Sequence, residues 1–195
     1  MKQHAFSALI AGFLNENPDM TLQTIEGDST FVKELLTDGK CDIAFLRSES
    51  SSVKEFNSIP YMIDYLTAVL PATHPLAKAD NLPFEQLRGE TFLLFPEHSF
   101  INDLCIRECR NAGFEPHIAY TGNRGATLID LVRNGAGITL MMHHSARQEN
   151  DSSLAFIPVT PGIYSYISLN YAKEKPLSPQ AESFVRYVKA HKRDF

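Results

Sequence analysis

No apolar run in this chain approaches the roughly 18 residues that a membrane-spanning helix needs, so no such helix is expected. Cysteine is scarce: three residues in 195 fit a reducing compartment better than a disulfide scaffold. Cations are in the minority, with 18 Lys and Arg against 23 Asp and Glu and a net charge of -5. Neutralising phosphates takes a clustered excess of Lys and Arg, so nucleic-acid binding by this chain itself is not expected. The small basic run Lys189 to Arg193 reads as a solvated helix end favourable to the helix dipole. Gly-x-Ser-x-Gly, P-loop and His-Glu-x-x-His patterns are all missing, which leaves no motif for an enzyme. There is no internal repeat and no low-complexity segment. The opening Met1-Lys-Gln-His4 lacks the charged-then-apolar layout of a secretory leader, and a cytoplasmic setting is the expectation.

What is present is an ordinary globular composition, 44% hydrophobic and 21% charged, long enough for one domain or two small lobes. Residues 4 to 16 read as an amphipathic helix with Phe6, Leu9, Ile10, Phe13 and Leu14 on one face, stopped by Pro18. Met20 to Glu26 reads as a strand. Then comes the most informative stretch, Glu26 to Arg47 (EGDSTFVKELLTDGKCDIAFLR). Phe31, Val32, Leu35 and Leu36 share a helical face, Asp28 or Ser29 can cap its start, and Gly39 can end it. Ile43 to Leu46 is an unbroken apolar run of the kind a strand covered on both faces needs. Further strands are expected at 56–62, 65–70, 91–95, 117–121, 138–142, 154–159 and 164–171. Helices are expected at 84–87, 99–112 and 126–134, with a last one starting at Ser178-Pro179. Gln148 to Ser153 reads as a polar loop.

Strands alternating with helices imply an α/β protein with parallel sheets covered on both faces. Punctuation near 71–75 and 160–162 divides the chain into two lobes. The first takes residues 1–71 plus 161–195, and the second is the continuous stretch 72–160.

Four motifs occur in a fixed order: Glu26-Gly with the hydroxyl residues and helix behind it, His74-Pro-Leu-Ala77, Leu87-Arg-Gly-Glu-Thr-Phe92, and Leu131-Val-Arg-Asn-Gly-Ala-Gly-Ile-Thr-Leu140. Together they resemble the regulatory domain of LysR-type transcriptional regulators over nearly the whole chain. The resemblance implies two Rossmann-like lobes joined by two crossover strands, as in type 2 periplasmic binding proteins. It also implies an opening strand ahead of the first helix, which this chain lacks. The function implied is effector sensing: a small molecule bound in the cleft between the lobes, its state passed through a homodimer or higher homo-oligomer. DNA would be contacted only through an N-terminal helix-turn-helix that is absent here. In the family's pairing mode the first helix would lie against the helix 101–112 of a partner. A transport-type solute-binding protein of the same fold is the alternative reading.

The candidate site is a set of helix starts that follow strands. Backbone N–H groups and the helix dipole favour anions there. They are Asp28-Ser29-Thr30, Ser99-Phe100-Ile101-Asn102 and Asn123-Arg124-Gly125. Arg47, at a strand end, adds a planar charge-assisted fork suited to a carboxylate. By resemblance, Ser29 or Thr30 and the pair Ser99 and Phe100 contact the effector. Cys105 and Cys109 lie at i, i+4 and read as core residues rather than half a metal site. Peroxide-sensing members of the family carry a reactive pair here; Cys109 matches the second cysteine, but Phe100 stands at the reactive position. His143-His144 follows a strand end, and adjacent residues of a strand point opposite ways, so a hydrogen-bonded role is expected and not chelation. No metal and no cofactor are expected.

Overall fold

A computed structural model describes residues 4–146 and 151–191. Part of the 148–153 loop and the end of the 189–193 basic run lie outside the described residues. The chain divides into two compact units, one running to Ile63 and resuming at Ser165, the other from Asp64 to Tyr164.

Unit 1 is a short sheet with helices packed on it. Helix α1 (His4–Glu16) buries Leu9 and Phe13, as its period predicts. Helix α2 (Ser29–Thr37) is capped by Asp28, whose carboxylate accepts from the Thr30 N–H at 2.9 Å. It closes on Gly39 at φ +69°, with the Lys40 N–H reaching back to the Leu35 carbonyl at 2.9 Å. That 6→1 bond needs the left-handed conformation that glycine supplies without strain. Strand β1 (Ala44–Ser48) follows, and then the first half of β2 (Phe56–Pro71). The remaining parts come from the other end of the sequence: β8 (Tyr164–Ala172) and α6 (Pro179–His191). The order in the sheet is β1-β8-β2, so β8 lies in the middle. Leu9, Phe13, Ile59, Leu169, Phe184, Val185 and Val188 form the core. The Phe13 and Phe184 rings meet edge to face at 4.9 Å, a favoured aromatic arrangement.

In unit 2, β3 (Leu82–Pro83), β4 (Thr91–Leu94), β5 (His117–Thr121), β6 (Thr139–Met142) and β7 (Leu154–Thr160) surround the second half of β2. β6 and β7 flank β2 antiparallel, while β3 runs parallel to β7 and β5 parallel to β4. The Leu93 N–H donates to the Ile138 carbonyl and the Ile138 N–H to the Thr91 carbonyl, each at 2.8 Å, which ties β4 alongside the start of β6. Only β2 therefore runs against the other strands. Helices α3 (Phe100–Asn111), α4 (Gly125–Arg133) and the short α5 (His143–Ala146) complete the unit. Leu66, Leu70, Leu87, Phe92, Leu94, Leu104, Ile138 and Leu140 fill one side of this sheet. Leu93, Leu128, Ile129, Val132 and Met141 fill another cluster.

Several expectations are corrected. Met20 to Glu26 forms no strand: it finds no ladder partner, and β propensity alone does not hold an isolated strand. Met20 and Leu22 nevertheless pack on the unit 1 core. Phe31 is exposed rather than part of α2's buried face. The segments 56–62 and 65–70 are one continuous strand. The sheets are mixed and not parallel throughout, because β2 and β8 each pair antiparallel with neighbours.

Candidate functional site

The unit 1 residues singled out from the sequence do meet. The N-terminus of α2 lies at the carboxyl end of β1, where the Ser29 hydroxyl accepts a hydrogen bond from the Arg47 backbone N–H at 2.9 Å. The Arg47 guanidinium donates through Nη1 to the hydroxyl of Ser165, a fully buried residue of β8, at 2.6 Å. A charged donor held this way loses rotamer freedom before any ligand arrives, which is how binding sites reduce their ordering cost. Of the two candidate caps it is Asp28 that serves, because Ser29 is occupied across the helix–strand junction. The Thr30 N–H is committed to Asp28, so that donor is not offered to an anion.

In unit 2, β4, β5 and β6 are mutually parallel, and their carboxyl ends share one edge of the sheet. In open α/β sheets that edge is where ligands bind. Phe95 and the loop behind it lead from β4 to α3, capped by Ser99. The Ser99 hydroxyl donates to the Pro96 carbonyl at 2.8 Å and accepts from the Asn102 N–H at 3.3 Å. The side chain of Asn102, buried, donates to the Phe95 carbonyl at 2.8 Å. Ser99 is thus a brace for the loop first, and Phe100 packs partly into the core. His98, one residue earlier, has φ +65°, a strained value for a side chain with a Cβ. Strain of that kind clusters at binding loops, and nothing in the sequence announced it.

From β5 the chain passes through Asn123 and Arg124, both exposed, into Gly125 at the start of α4. This helix has no side-chain cap. Its first N–H groups are the least committed donors of the three helix starts. A Cβ on Gly125 would sit 2.8 Å from Met141 Cε, so the glycine lets α4 begin close against β6.

The third component of this edge was missed. Asp64 is fully buried where β2 enters the unit, and its Oδ1 accepts from three donors. They are the Tyr65 N–H at 3.0 Å, the His144 N–H at 3.1 Å and His144 Nδ1–H at 2.8 Å. The His143 ring stacks on Tyr65 at 4.4 Å. The histidine pair is hydrogen-bonded, as expected. The available signal was an aspartate interrupting the apolar stretch from Phe56 to Leu70, because a buried carboxylate requires partners.

Cys105 and Cys109 are fully buried on α3 and carry no disulfide. Burial pushes the Cys109 thiol up to about 12 and Cys105 also well above its usual range, aided in both by Glu108. The nucleophilic thiolate is suppressed. Among the described residues no group of His, Cys, Asp or Glu side chains is arranged to hold a metal.

The model of the LysR substrate binding domain matches residues 1–193. The chain belongs to this family. Among curated LysR-type relatives, the transcriptional dual regulator GltC of Bacillus subtilis is 25% identical over 181 residues, covering 92% of this chain and 60% of the relative. CfxR of Cupriavidus necator is 29% identical over 192 residues, covering 96% and 59%. The chain therefore spans about three fifths of the length of these regulators. Among solved structures, the regulatory domain of Synechocystis CcmR in complex with 2-PG superposes with a TM-score of 0.88 at 15% identity, covering 98% of this chain and 93% of that one. The effector-binding domain of QuiR in complex with shikimate gives 0.78 at 19% identity, covering 99% and 94%. These likenesses establish the LysR effector-domain fold, an α/β architecture of the periplasmic-binding-protein type.

Proposed function

We propose that this domain senses a small anionic effector for a LysR-type transcription factor, with the start of α2 and Arg47 of unit 1 as contacting elements. The observation that carries the reading is Arg47: a guanidinium pinned to a buried serine at the carboxyl end of β1, beside a helix N-terminus. Preset cations of this kind favour carboxylates and phosphates. Within unit 2, the uncapped start of α4 offers donors of the same preference. Solved relatives of this fold hold 2-PG and shikimate, which supports small-molecule sensing as the common task.

A thermal-shift screen of small carboxylates, phosphate esters and amino-acid metabolites tests it. A ligand at 100 times its Kd adds about 2.7 kcal/mol of stability. Arg47→Ala is expected to weaken the best hit by roughly 1.5–3 kcal/mol, the range for hydrogen bonds to charged groups. Arg47→Ala binding as tightly as wild type, or a screen yielding only cations and neutral apolar ligands, refutes the proposal.

The same reading makes the domain part of a cytoplasmic homo-oligomer that reaches DNA through a helix-turn-helix. Leu9 and Phe13 are consumed by the unit 1 core, so a partner helix would meet the exposed Ser7, Ala8 and Ala11 of α1 instead. Sedimentation equilibrium at tens of micromolar that shows monomer alone counts against it.

A further inference from the structure

Unit 1 carries a second feature that the effector reading does not use. An open groove of about 410 Å³ lies along α6 and the segment that follows β8. Its rim holds Lys173, Lys175, Arg186 and Lys189 against one carboxylate, Glu182. Four cations less one anion leave a local charge of +3 on a chain whose total is -5. On α6, Glu182, Arg186 and Lys189 follow i, i+4, i+7 spacing, which puts them on one face. Val185 and Leu177, with Pro176, give the groove an apolar floor.

Several cations elsewhere among the described residues are spent on carboxylates. Lys33 pairs with Glu55, Lys40 with Asp38, Arg110 with Glu115, and Arg133 with Asp130 and Asp151. Around the groove the pattern reverses. Lys173 donates to the Lys54 carbonyl at 2.7 Å, while Lys175, Arg186 and Lys189 have no hydrogen-bond or ion-pair partner among the described residues. An acidic protein has carboxylates to spare, yet the three cations here share a rim with Glu182 alone and none is ion-paired to it.

The geometry points to a binding site for a small, multiply charged anion of the phosphate class, separate from the effector site. The volume falls in the ~300–1,000 Å³ range of small-molecule sites, too large for a lone monovalent ion. One guanidinium fork among point-charge ammonium groups is the combination that suits phosphate oxygens. A nucleic-acid backbone fits less well. It needs an extended basic track, and the overall negative charge repels a long polyanion while screening leaves a compact ligand to the local field. The groove is near the C-terminal end of α2, since a Cβ on Gly39 would lie 3.7 Å from Lys175 Nζ. Ser29 and Arg47 are at the opposite end, about 13 Å away along a nine-residue helix at 1.5 Å per residue.

Pyrophosphate is the probe, titrated calorimetrically into the whole chain at low and moderate salt. Binding with a Kd below about 1 mM that weakens with salt is expected. The double substitution Arg186→Gln, Lys189→Gln should weaken it about tenfold or more, since each removes a charge-assisted contact. Both residues are exposed, so circular dichroism should show an unchanged fold. Glu182→Gln should tighten binding. Arg47→Ala should leave it unaltered, which separates failure of this proposal from failure of the effector reading. Three results overturn it: no measurable pyrophosphate binding, full affinity in the double variant, or loss of binding with Arg47→Ala alone. Displacement of pyrophosphate by a short DNA duplex at micromolar concentration overturns it in favour of a nucleic-acid surface.

Discussion

Removing the Asp64 carboxylate should cost unit 2 far more than a single hydrogen bond. One oxygen accepts from the Tyr65 N–H, the His144 N–H and His144 Nδ1–H, at 2.8 to 3.1 Å, inside a fully buried residue. Asp64→Ala leaves two backbone donors and an imidazole N–H without this acceptor. Unpaired buried donors cost about 1–3 kcal/mol each, so a total of about 4 kcal/mol is expected. Asp64→Asn keeps a carbonyl acceptor for the two backbone groups and gives up only the charge. Its expected cost is about 1–2 kcal/mol. Urea unfolding followed by circular dichroism reads the difference. With a slope of roughly 1–3 kcal/mol per molar, the alanine variant should lose at least 1 M of midpoint. The reasoning fails if the alanine and asparagine variants unfold together, or if both lie within about 0.5 kcal/mol of wild type, the range of ordinary surface changes.

Four other outcomes are expected. Phe13→Ala should destabilise unit 1 by about 3–5 kcal/mol, since the ring is fully buried against Phe184; a smaller loss in urea unfolding would mean the site collapses to fill itself. Gly137→Ala should cost roughly 2–5 kcal/mol, because φ is +154° and a Cβ would sit 2.4 Å from the Thr91 carbonyl oxygen, a backbone atom tied to Ile138. His98→Gly should raise stability by up to about 1 kcal/mol by relieving a left-handed φ, read as a higher denaturation midpoint. The Cys105 and Cys109 thiols have raised folded-state pKa values, so the stability they contribute is complete below the unfolded value near 9 and declines as pH rises above it, toward about 12 for Cys109. Iodoacetamide should accordingly spare both at pH 8 in folded protein and label them in urea; rapid native labelling contradicts the burial argument.

Local signals were legible where the chemistry is local. The 3.6-residue period and the stop at Pro18 mark α1, Asp28 and Gly39 bracket α2, and Ser99 caps α3, all without any tertiary knowledge. What failed depends on partners far away in sequence. Met20 to Glu26 has strand composition but nothing to pair with. Phe31 has helical spacing but is exposed. Ser29, Ser99, Phe100, Asn123, Arg124 and Gly125 were found as residues at helix starts and Arg47 at a strand end, yet their commitments were not. No sequence pattern states that Ser29 holds the Arg47 N–H, or that Arg47 reaches Ser165 118 positions later. The Asp64–His144 pair spans 80 positions and was invisible for the same reason.

The sheet order of unit 1 has a bearing on synthesis. Its middle strand, β8, and its core helix, α6, are translated after all of unit 2, which is made without interruption between them and β1. During elongation unit 2 has every strand it needs while β1 waits, apolar and unpaired, for a neighbour still in the ribosome. Domains form as soon as their own chain is complete, and the wait exposes an aggregation-prone edge. Ribosome-bound chains arrested just after the segment 64–164 has emerged should resist protease across unit 2 and be cut ahead of Ile63. Equal protection of both regions at that length would show that β1 and α2 hold together before their sheet exists.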